Sequence, residues 1–386
     1  MKIAKIENIY INRYLFVRIT TDNGLTGLGE SGAWGFQEAA AAAVDRFAGY
    51  LIGLDPLRIE HHWQYMYRWA HFRGAAIMGA LSALDIALWD IAGKHYGAPV
   101  HALLGGKLRD RARAYYHVFG TTKDELYEGV ARARDAGYTA VGHLTPFLES
   151  PRSEPYYESY ARKIGDAVET VRRYREIAGP DVDLCVEIHR RMTPYEAVAF
   201  GRAIEPFHPL FLEDPVTPDN FDEMAYVSSK IGIPIATGER MTSLWEFQML
   251  ISRNAVQMVR PDVCIVGGIS GAKKIAALAE ASHIGVVPHN PLSAVSTAAC
   301  LQIAAIAPNF VLQELPDETW GEAHDLRPPS DELVEGAPQH DGRGFLLISD
   351  TPGIGVSLRP DAAERFPWNP RKIVTRLHYD GSVVDQ

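Results

Sequence analysis

A repeating alternation dominates the chain after about residue 110: short apolar runs recur, and a helical pattern follows each of them. The eight runs span residues 114–119, 140–144, 183–188, 210–212, 234–236, 255–259, 285–288 and 310–312. Eight strand–helix repeats fit a (β/α)8 barrel, in which parallel strands form the core and helices surround it. The alternation therefore predicts an α/β fold of this type.

A doubly wound sheet is the alternative for alternating strands and helices. That fold needs a glycine-rich phosphate turn after an early strand, and the sequence has none there. The segment 267–271, Gly-Gly-Ile-Ser-Gly, is a weak match, but it follows the sixth run rather than the first. We interpret it as a tight turn between a strand and a helix, and favour the barrel.

The segments on either side of the barrel have a different pattern. Residues 6–11 and 14–21 alternate like strands, a turn at 22–24 precedes a third strand, and residues 36–97 are helical. The tail is rich in Pro, Gly and charge, with strand candidates at 344–348 and 355–358. We predict a modified TIM barrel with an N-terminal α+β capping domain, completed by the C-terminal tail. The expected divisions are 1–110, 111–325 and 326–386.

Composition excludes several classes of function. The net charge of −10 argues against nucleic-acid binding and against binding to an anionic membrane surface. An anionic small substrate stays compatible, because a bound metal can invert the local charge. Three cysteines without paired spacing indicate a reducing compartment, and the absence of an apolar signal core or of an eighteen-residue apolar run predicts a cytoplasmic protein without a membrane span.

Three carboxylates follow three successive strands of the predicted barrel. Glu187, Glu213 and Glu239 are each 26 residues apart, about one strand–helix repeat. The carboxyl ends of barrel strands carry the active site, so these side chains are expected to meet there. Three like charges repel unless a cation holds them, and oxygen ligands suit a hard divalent ion. The spacing predicts a site for one Mg²⁺ per subunit.

Two histidines accompany this cluster. Run six ends at Asp262 and run seven at His289, so neighbouring strands bring a carboxylate within reach of an imidazole. Such a pair makes the imidazole a better general base. His189 follows run three, four strands away from His289 in a ring of eight, and is expected on the opposite side of the substrate. This placement suits anti elimination, but it also suits racemisation by two bases.

Several motifs together resemble the enolase superfamily, within it the mandelate racemase-like group and the acid-sugar dehydratases of galactonate and gluconate type. The resemblance covers nearly the whole chain and rests on residues 83–94, 103–106, 213–215, 235–240, 260–262, 267–269, 272–274 and 288–291. It implies Mg²⁺ on the three glutamates, a His289–Asp262 base and a His189 acid. It also implies that Glu314 hydrogen-bonds the substrate carboxylate or enolate.

The sequence departs from the pattern of these relatives at two places. Near the second strand they carry one or two lysines, whereas residues 140–146 here contain none and offer His143 instead. After the third strand they often have His-Gly-Arg, whereas this chain has His189-Arg190-Arg191. An exposed arginine at a helix start is the favoured interpretation of the change, with a contact to a distal substrate group as the alternative.

The resemblance implies a lyase that removes the proton next to a sugar-acid carboxylate and eliminates the 3-hydroxyl, giving a 2-keto-3-deoxy acid. A racemase or epimerase using the same enolate is the alternative enzyme, and a silent sugar-acid binding protein is the alternative outside enzymes. Substrate contacts are expected from the cap and the barrel rim, and relatives of this kind commonly form homo-oligomers. The candidate contact residues are Trp34, His71, Arg73, His143 and Arg240.

Overall fold

The computed structural model describes residues 1–120, 122–147, 155, 158–316, 327–372 and 374–384, and it begins with an antiparallel meander. Its strands are β1 (Ile3–Ile11), β2 (Tyr14–Thr21) and β3 (Thr26–Ser31). Gly24 adopts a φ of 86° in the turn between the second and third strands, a conformation that glycine adopts without strain. The turn predicted at residues 22–24 is therefore present.

Helices pack on one face of this meander. They are α1 (Gln37–Leu51), α2 (Ile59–Trp69), α3 (Ala75–Tyr96) and the short α4 (Val100–Leu103). The helical pattern predicted as one stretch is thus interrupted, and the breaks contain Gly53, Pro56 and Gly74, residues that disfavour a helix interior.

Helix α3 is the central helix of this layer. A Cβ added at Gly29 of β3 would lie 2.0 Å from the carbonyl oxygen of Ala83, so glycine permits close contact between strand and helix. By length and composition α3 could cross a membrane, but 78% of its apolar window is buried within the fold.

Eight parallel strands form the barrel. They are β4 (Arg111–His117), β5 (Ala140–Leu144), β6 (Asp183–Glu187), β7 (Phe211–Glu213), β8 (Ile235–Thr237), β9 (Met258–Val259), β10 (Gly285–Val286) and β11 (Gln313–Leu315). Each strand pairs with the next, β11 pairs with β4, and a bridge between Val286 and Phe310 joins the two ends of the ring. The predicted barrel is confirmed.

Helices follow the first seven of these strands and cover the outside of the barrel. They are α5 (Lys123–Asp135), α6 (Tyr160–Ala178), α7 (Pro194–Ile204), α8 (Phe221–Ser228), α9 (Leu244–Ser252), α10 (Gly268–Glu280) and α11 (Ala294–Ile306). A 3₁₀ turn, Glu205–Phe207, extends α7. Thr122 and Thr193 start α5 and α7 with reciprocal capping boxes, which satisfy backbone donors at the helix starts.

The eighth strand lies three residues later than the run 310–312 that we expected. Phe310 still pairs with β10, but the strand proper contains the polar residues Gln313 and Glu314. Both side chains are buried, and Glu314 is tolerated there because charged partners surround it, as described below. An apolar pattern could not reveal a strand of this kind.

The tail contacts both parts of the molecule. Its elements are α12 (Ser330–Leu333), β12 (Val334–Glu335), β13 (Phe345–Leu347), β14 (Ser357–Leu358) and α13 (Ala362–Arg365). Strand β13 pairs antiparallel with β4 of the barrel, whereas the Ile354 N–H donates to Asp90 of α3 at 2.9 Å and the Asn12 N–H to the Phe366 carbonyl at 2.9 Å. The divisions at residues 110 and 325 stay predictions.

Candidate active site

Three carboxylates meet at the carboxyl ends of the barrel strands. Glu187 and Glu213 are the last residues of β6 and β7 and pair in register, and Glu239 lies two residues beyond β8. One oxygen from each carboxylate can be chosen so that all three lie within 4.8 Å of one another. The 26-residue spacing thus corresponds to a spatial cluster.

Each of these carboxylates has one oxygen in contact with a backbone N–H or a guanidinium group of the protein. The His189 N–H donates to Glu187 Oε1 at 2.6 Å, Arg260 Nε pairs with Glu213 Oε1, and Arg190 Nη1 donates to Glu239 Oε1 at 2.5 Å. The second oxygen of each group is a candidate ligand whose direction these contacts set.

Burial makes the cluster electrostatically unfavourable without a cation. Burial and the neighbouring Glu213 raise the pKa of Glu187 well above its usual value, and burial raises the pKa of Glu213 to about 8 despite Arg260. Burial would also raise the pKa of Glu239, but His289 and Arg190 outweigh it and lower that pKa. A compact set of buried oxygen donors with like charge fits a hard divalent cation.

The backbone around the cluster adopts unusual conformations. Four of the eight described non-glycine residues with positive φ lie in the last part of β5 or directly after β6 and β7: His143 (53°), His189 (51°), Arg190 (64°) and Asp214 (40°). Such conformations are uncommon for residues with a Cβ, and they concentrate at functional sites. At Arg190 the left-handed backbone is one that glycine would adopt without strain.

The sequence pattern favoured an exposed arginine at a helix start, but Arg190 is buried, so that interpretation is wrong. Its side chain is only 7% exposed, and Nη1 bridges Glu239 and Asp214, the latter at 2.8 Å. Thr237 Oγ1 donates to the other oxygen of Asp214 at 2.5 Å. The guanidinium thus lies beside the carboxylate cluster, with Glu239 and Asp214 as its acidic partners.

His289 and Asp262 form a direct pair. The two residues share an isolated parallel bridge, His289 Nδ1 donates to Asp262 Oδ2 at 2.9 Å, and the Cys264 N–H holds Asp262 Oδ1 at 2.8 Å. The other ring nitrogen, Nε2, lies 3.5 Å from Glu239 Oε2. Burial alone would lower the pKa of His289, but Glu314, Glu239 and Asp262 raise it to about 9.

His189 lies among other imidazoles. Its ring centroid is 4.7 Å from that of His143, which is in turn 5.2 Å from that of His117. Burial and His143 lower the pKa of His189 well below its usual value, and burial and His117 lower that of His143 to about 3. Both rings are therefore neutral near pH 7 in the free protein.

Glu314 is held by a network that the sequence analysis did not identify. Arg260 bridges Glu314 and Glu213, His117 Nε2 lies 2.7 Å from Glu314 Oε1, and the Asn290 N–H donates to Oε2 at 2.8 Å. Burial would raise the pKa of Glu314, but Arg260 and His117 hold it well below its usual range. The position of His117 at the end of the first barrel strand is the signal that could have identified it.

The candidate substrate contacts in the cap and at the barrel rim have other surroundings than the carboxylate cluster. Trp34 is half-buried beneath the Arg371 guanidinium, 4.3 Å from its ring centre. Arg73 covers Tyr67 at 4.1 Å and donates to its own loop, while His71 and Arg240 are exposed. Among the described residues, neither His71 nor Arg73 forms a hydrogen bond or an ion pair with the three carboxylates.

Comparison with known proteins gives matches over nearly the whole chain. Residues 4–105 match the mandelate racemase / muconate lactonizing enzyme N-terminal domain, and residues 125–362 match the enolase C-terminal domain-like family. The chain is 38% identical to a D-galactonate dehydratase of Xanthomonas campestris pv. campestris and 36% identical to that of Variovorax paradoxus. Both matches cover 100% of each chain.

Solved structures of the enolase superfamily align with this chain over nearly its full length. An enolase from Agrobacterium radiobacter, a candidate galactarate dehydratase with bound sodium and L-malate, aligns with a TM-score of 0.91 at 29% identity over 100% of both chains. The 3,6-anhydro-D-galactonate cycloisomerase of Zobellia galactanivorans aligns with a TM-score of 0.82 at 27% identity, covering 95% of this chain and 99% of that one.

Proposed function

Since the chain belongs to the mandelate racemase / muconate lactonizing enzyme family of the enolase superfamily and is a sugar-acid dehydratase, we propose that it acts on an aldonate such as galactonate or gluconate with Mg²⁺. Family membership implies a divalent metal, and the donor chemistry supports magnesium. We further propose that the product is a 2-keto-3-deoxy acid.

One observation carries this proposal: the 3.5 Å separation between His289 Nε2 and Glu239 Oε2. It brings a ring nitrogen beside the carboxylate cluster, so a substrate carboxylate bound to a cation in the cluster would have its α-carbon near His289. Asp262 orients the ring through Nδ1 and stabilises its protonated form. His289 Nε2 is therefore our candidate to remove the α-proton.

Glu187, Glu213 and Glu239 would hold the metal. When bound, the ion would stabilise negative charge on the substrate carboxylate and offset part of the carboxylate field around His289. Arg260 and Arg190 keep Glu213 and Glu239 in place through the Oε1 atoms, so these arginines position ligands rather than react.

The acid side of the site completes the elimination. His189 gives a proton to the departing 3-hydroxyl, which leaves as water. Burial disfavours the imidazolium form in the free protein, but the negative charge of a bound sugar acid would favour it. The C2–H and C3–O bonds break, a C2–C3 double bond forms, and the resulting enol tautomerises to the 2-keto acid.

We assign Glu314 to a contact with the reacting carboxylate. His117, Arg260 and the Asn290 N–H fix its orientation, and its proposed partner is the substrate carboxylate or the enolate derived from it. Because Arg260 and His117 keep Glu314 ionised in the free protein, this contact requires a proton that is taken up from solvent when the substrate binds and is shared between the two carboxylates. The hydrogen bond would then strengthen as charge develops on the enolate.

The test is a panel of sugar acids that includes D-galactonate, D-gluconate and galactarate, assayed for 2-keto acid with Mg²⁺ in D₂O. We expect keto-acid formation from at least one monoacid, and loss of it after exhaustive chelation. Deuterium at C2 without keto acid would establish an epimerase instead. A panel that binds but neither exchanges nor reacts would establish a binding protein and refute the proposal.

We also propose that the enzyme is a cytoplasmic homo-oligomer with a sugar acid as its small-molecule partner. Cys185, Cys264 and Cys300 are buried and unpaired, as expected of a reducing compartment. Trp69 and Phe72 expose 51% and 91% of their surface on the capping domain, which supports contacts with another chain. Light scattering during gel filtration should give more than the mass of one chain, and a monomer would contradict the oligomer.

A further inference from the structure

A buried carboxylate of the capping domain binds the start of a barrel helix. Glu30, near the end of β3, is fully buried, and its Oε2 accepts hydrogen bonds from Ser293 Oγ at 2.6 Å and from the Ser296 N–H at 3.0 Å. Its Oε1 accepts the Ser293 N–H at 3.3 Å. These donors belong to the N-cap and first turn of α11, and they offset part of the burial that raises the pKa of Glu30 to about 8.

This helix turn is joined to the residue beside the proposed base. Thr297 Oγ1 in the same turn accepts a hydrogen bond from the Asn290 side chain at 2.8 Å, and Asn290 directly follows His289. The Asn290 N–H in turn holds Glu314. A displacement of the α11 start would therefore move the segment that carries His289.

The residue that follows β3 also contacts the segment of Asp262, the partner of His289. The Gly32 N–H donates to the Cys264 carbonyl at 2.9 Å, and the Cys264 N–H donates to Asp262 Oδ1. A Cβ added at Gly32 would lie 3.2 Å from Asp262 Oδ1, so the strand end lies directly against this carboxylate. Glu30 in β3 and Gly32 directly after it thus reach the segments that carry His289 and Asp262.

We propose that Glu30 is a positioning residue that fixes His289 against Asp262 by anchoring the start of α11 to the capping domain. The proposal deepens the proposed function and rests on it, because it assigns the His289–Asp262 pair as the base. Glu30 touches neither the carboxylate cluster nor the pair through any hydrogen bond among the described residues. Its effect is transmitted through Ser293 and Ser296.

A second buried carboxylate offers a matched control. Asp85 of α3 is also buried at the contact between cap and barrel, and it accepts the Ser270 N–H at 3.0 Å and Ser270 Oγ at 2.6 Å at the start of α10. It therefore anchors a neighbouring helix with the same chemistry. It does not contact the turn that follows His289.

The experiment compares Glu30→Gln with Asp85→Asn in the full chain by hydrogen exchange, Mg²⁺ affinity and turnover. We expect Glu30→Gln to accelerate amide exchange over residues 289–300 and to lower kcat by roughly ten- to a hundredfold, since small misplacements of reacting groups cost this much. Mg²⁺ affinity should change by less than about twofold, as for sites that are independent. Asp85→Asn should accelerate exchange over residues 268–275 and leave kcat within about twofold.

If Glu30→Gln does not fold, Ser293→Ala removes the hydroxyl on the other side of the contact and should show the same pattern more weakly. Wild-type exchange over 289–300 together with wild-type kcat would overturn the proposal. So would parallel losses of Mg²⁺ affinity and kcat, because these indicate a general docking role. If the wild type converts no sugar acid, the proposed function fails, while the exchange data still show whether Glu30 anchors this segment.

Discussion

His289 and His189 carry the same side chain on two sides of one site, yet the protein surrounds them with opposite charges. Carboxylates face His289, chiefly Glu314, Glu239 and Asp262, and they raise its pKa. Burial, His143 and the adjacent arginines lower the pKa of His189. The environment, rather than the residue type, therefore distinguishes the two imidazoles.

This difference shows which charge is missing around His289 and around His189 in the free protein. The carboxylates around His289 carry an excess of negative charge, which a divalent cation would neutralise, whereas burial, His143 and the adjacent arginines disfavour a proton on His189. In our account a bound cation would lower the pKa of His289 so that it can act as a base, and a bound substrate would raise the pKa of His189 so that it can act as an acid. Variants on the two sides should therefore respond differently to metal and to substrate.

The largest loss of activity is expected from a change in the carboxylate cluster. Glu213→Gln removes a proposed ligand while keeping the size of the side chain, so Mg²⁺ binding measured by calorimetry should weaken sharply and turnover should be abolished. Circular dichroism should show an unchanged fold. Wild-type activity that survives exhaustive chelation would show that the cluster holds no essential metal.

The next effect concerns the orientation of the base. Asp262→Asn should lower turnover by about 10²- to 10⁴-fold, because the imidazolium loses its supporting charge and the ring can adopt the wrong tautomer. Mg²⁺ affinity should be retained, and Asp85→Asn controls for the loss of a buried carboxylate elsewhere. Near-normal turnover of Asp262→Asn would mean that His289 works without this partner or is not the base.

A smaller effect is expected from the imidazole side, in stability rather than in rate. The pKa of His143 is about 3 in the folded protein and 6.5 without the fold, so between these values only the unfolded chain binds the proton. Stability should therefore fall as pH decreases from 6.5, by about 1.4 kcal/mol per unit from this group. His143→Leu should remove that slope in urea unfolding between pH 7 and 5, and parallel curves would contradict it.

The smallest effect is expected in the cap. Arg73→Ala should raise KM by about threefold to tenfold and leave kcat nearly unchanged, as expected when only uniform binding is lost. Arg68, exposed on α2, provides the matched control through Arg68→Ala. Equal KM values for the two variants would remove Arg73 from the substrate-binding set.

The sequence predicted best those contacts that follow from the order of the strands in the barrel. Strand ends in a barrel share one face, so the regular spacing of Glu187, Glu213 and Glu239 was enough to bring them together. The same reasoning paired Asp262 with His289. The roles proposed for these five residues as metal ligands and as the base depend on chemistry that sequence spacing does not show. These roles stay predictions.

What the sequence could not predict are contacts between distant segments. Arg260 was part of a motif, but nothing in its neighbourhood indicates that it bridges Glu213 and Glu314 across the barrel. Glu30 lies more than 260 residues before Ser293, and only the packing of the cap on the barrel joins them. The eighth strand was misplaced because its polar residues are stabilised by partners from other strands.

The most direct test of the central claim is proton exchange in the two histidine variants, with a converted sugar acid in D₂O. If His289 is the base and His189 only the acid, His189→Asn should stop keto-acid formation but still exchange the α-proton, because abstraction is intact and the hydroxyl cannot leave. His289→Asn should stop both, each loss being about 10²- to 10⁴-fold. Equal loss of exchange in the two variants, or inversion at C2 by the wild type without keto acid, would contradict the account.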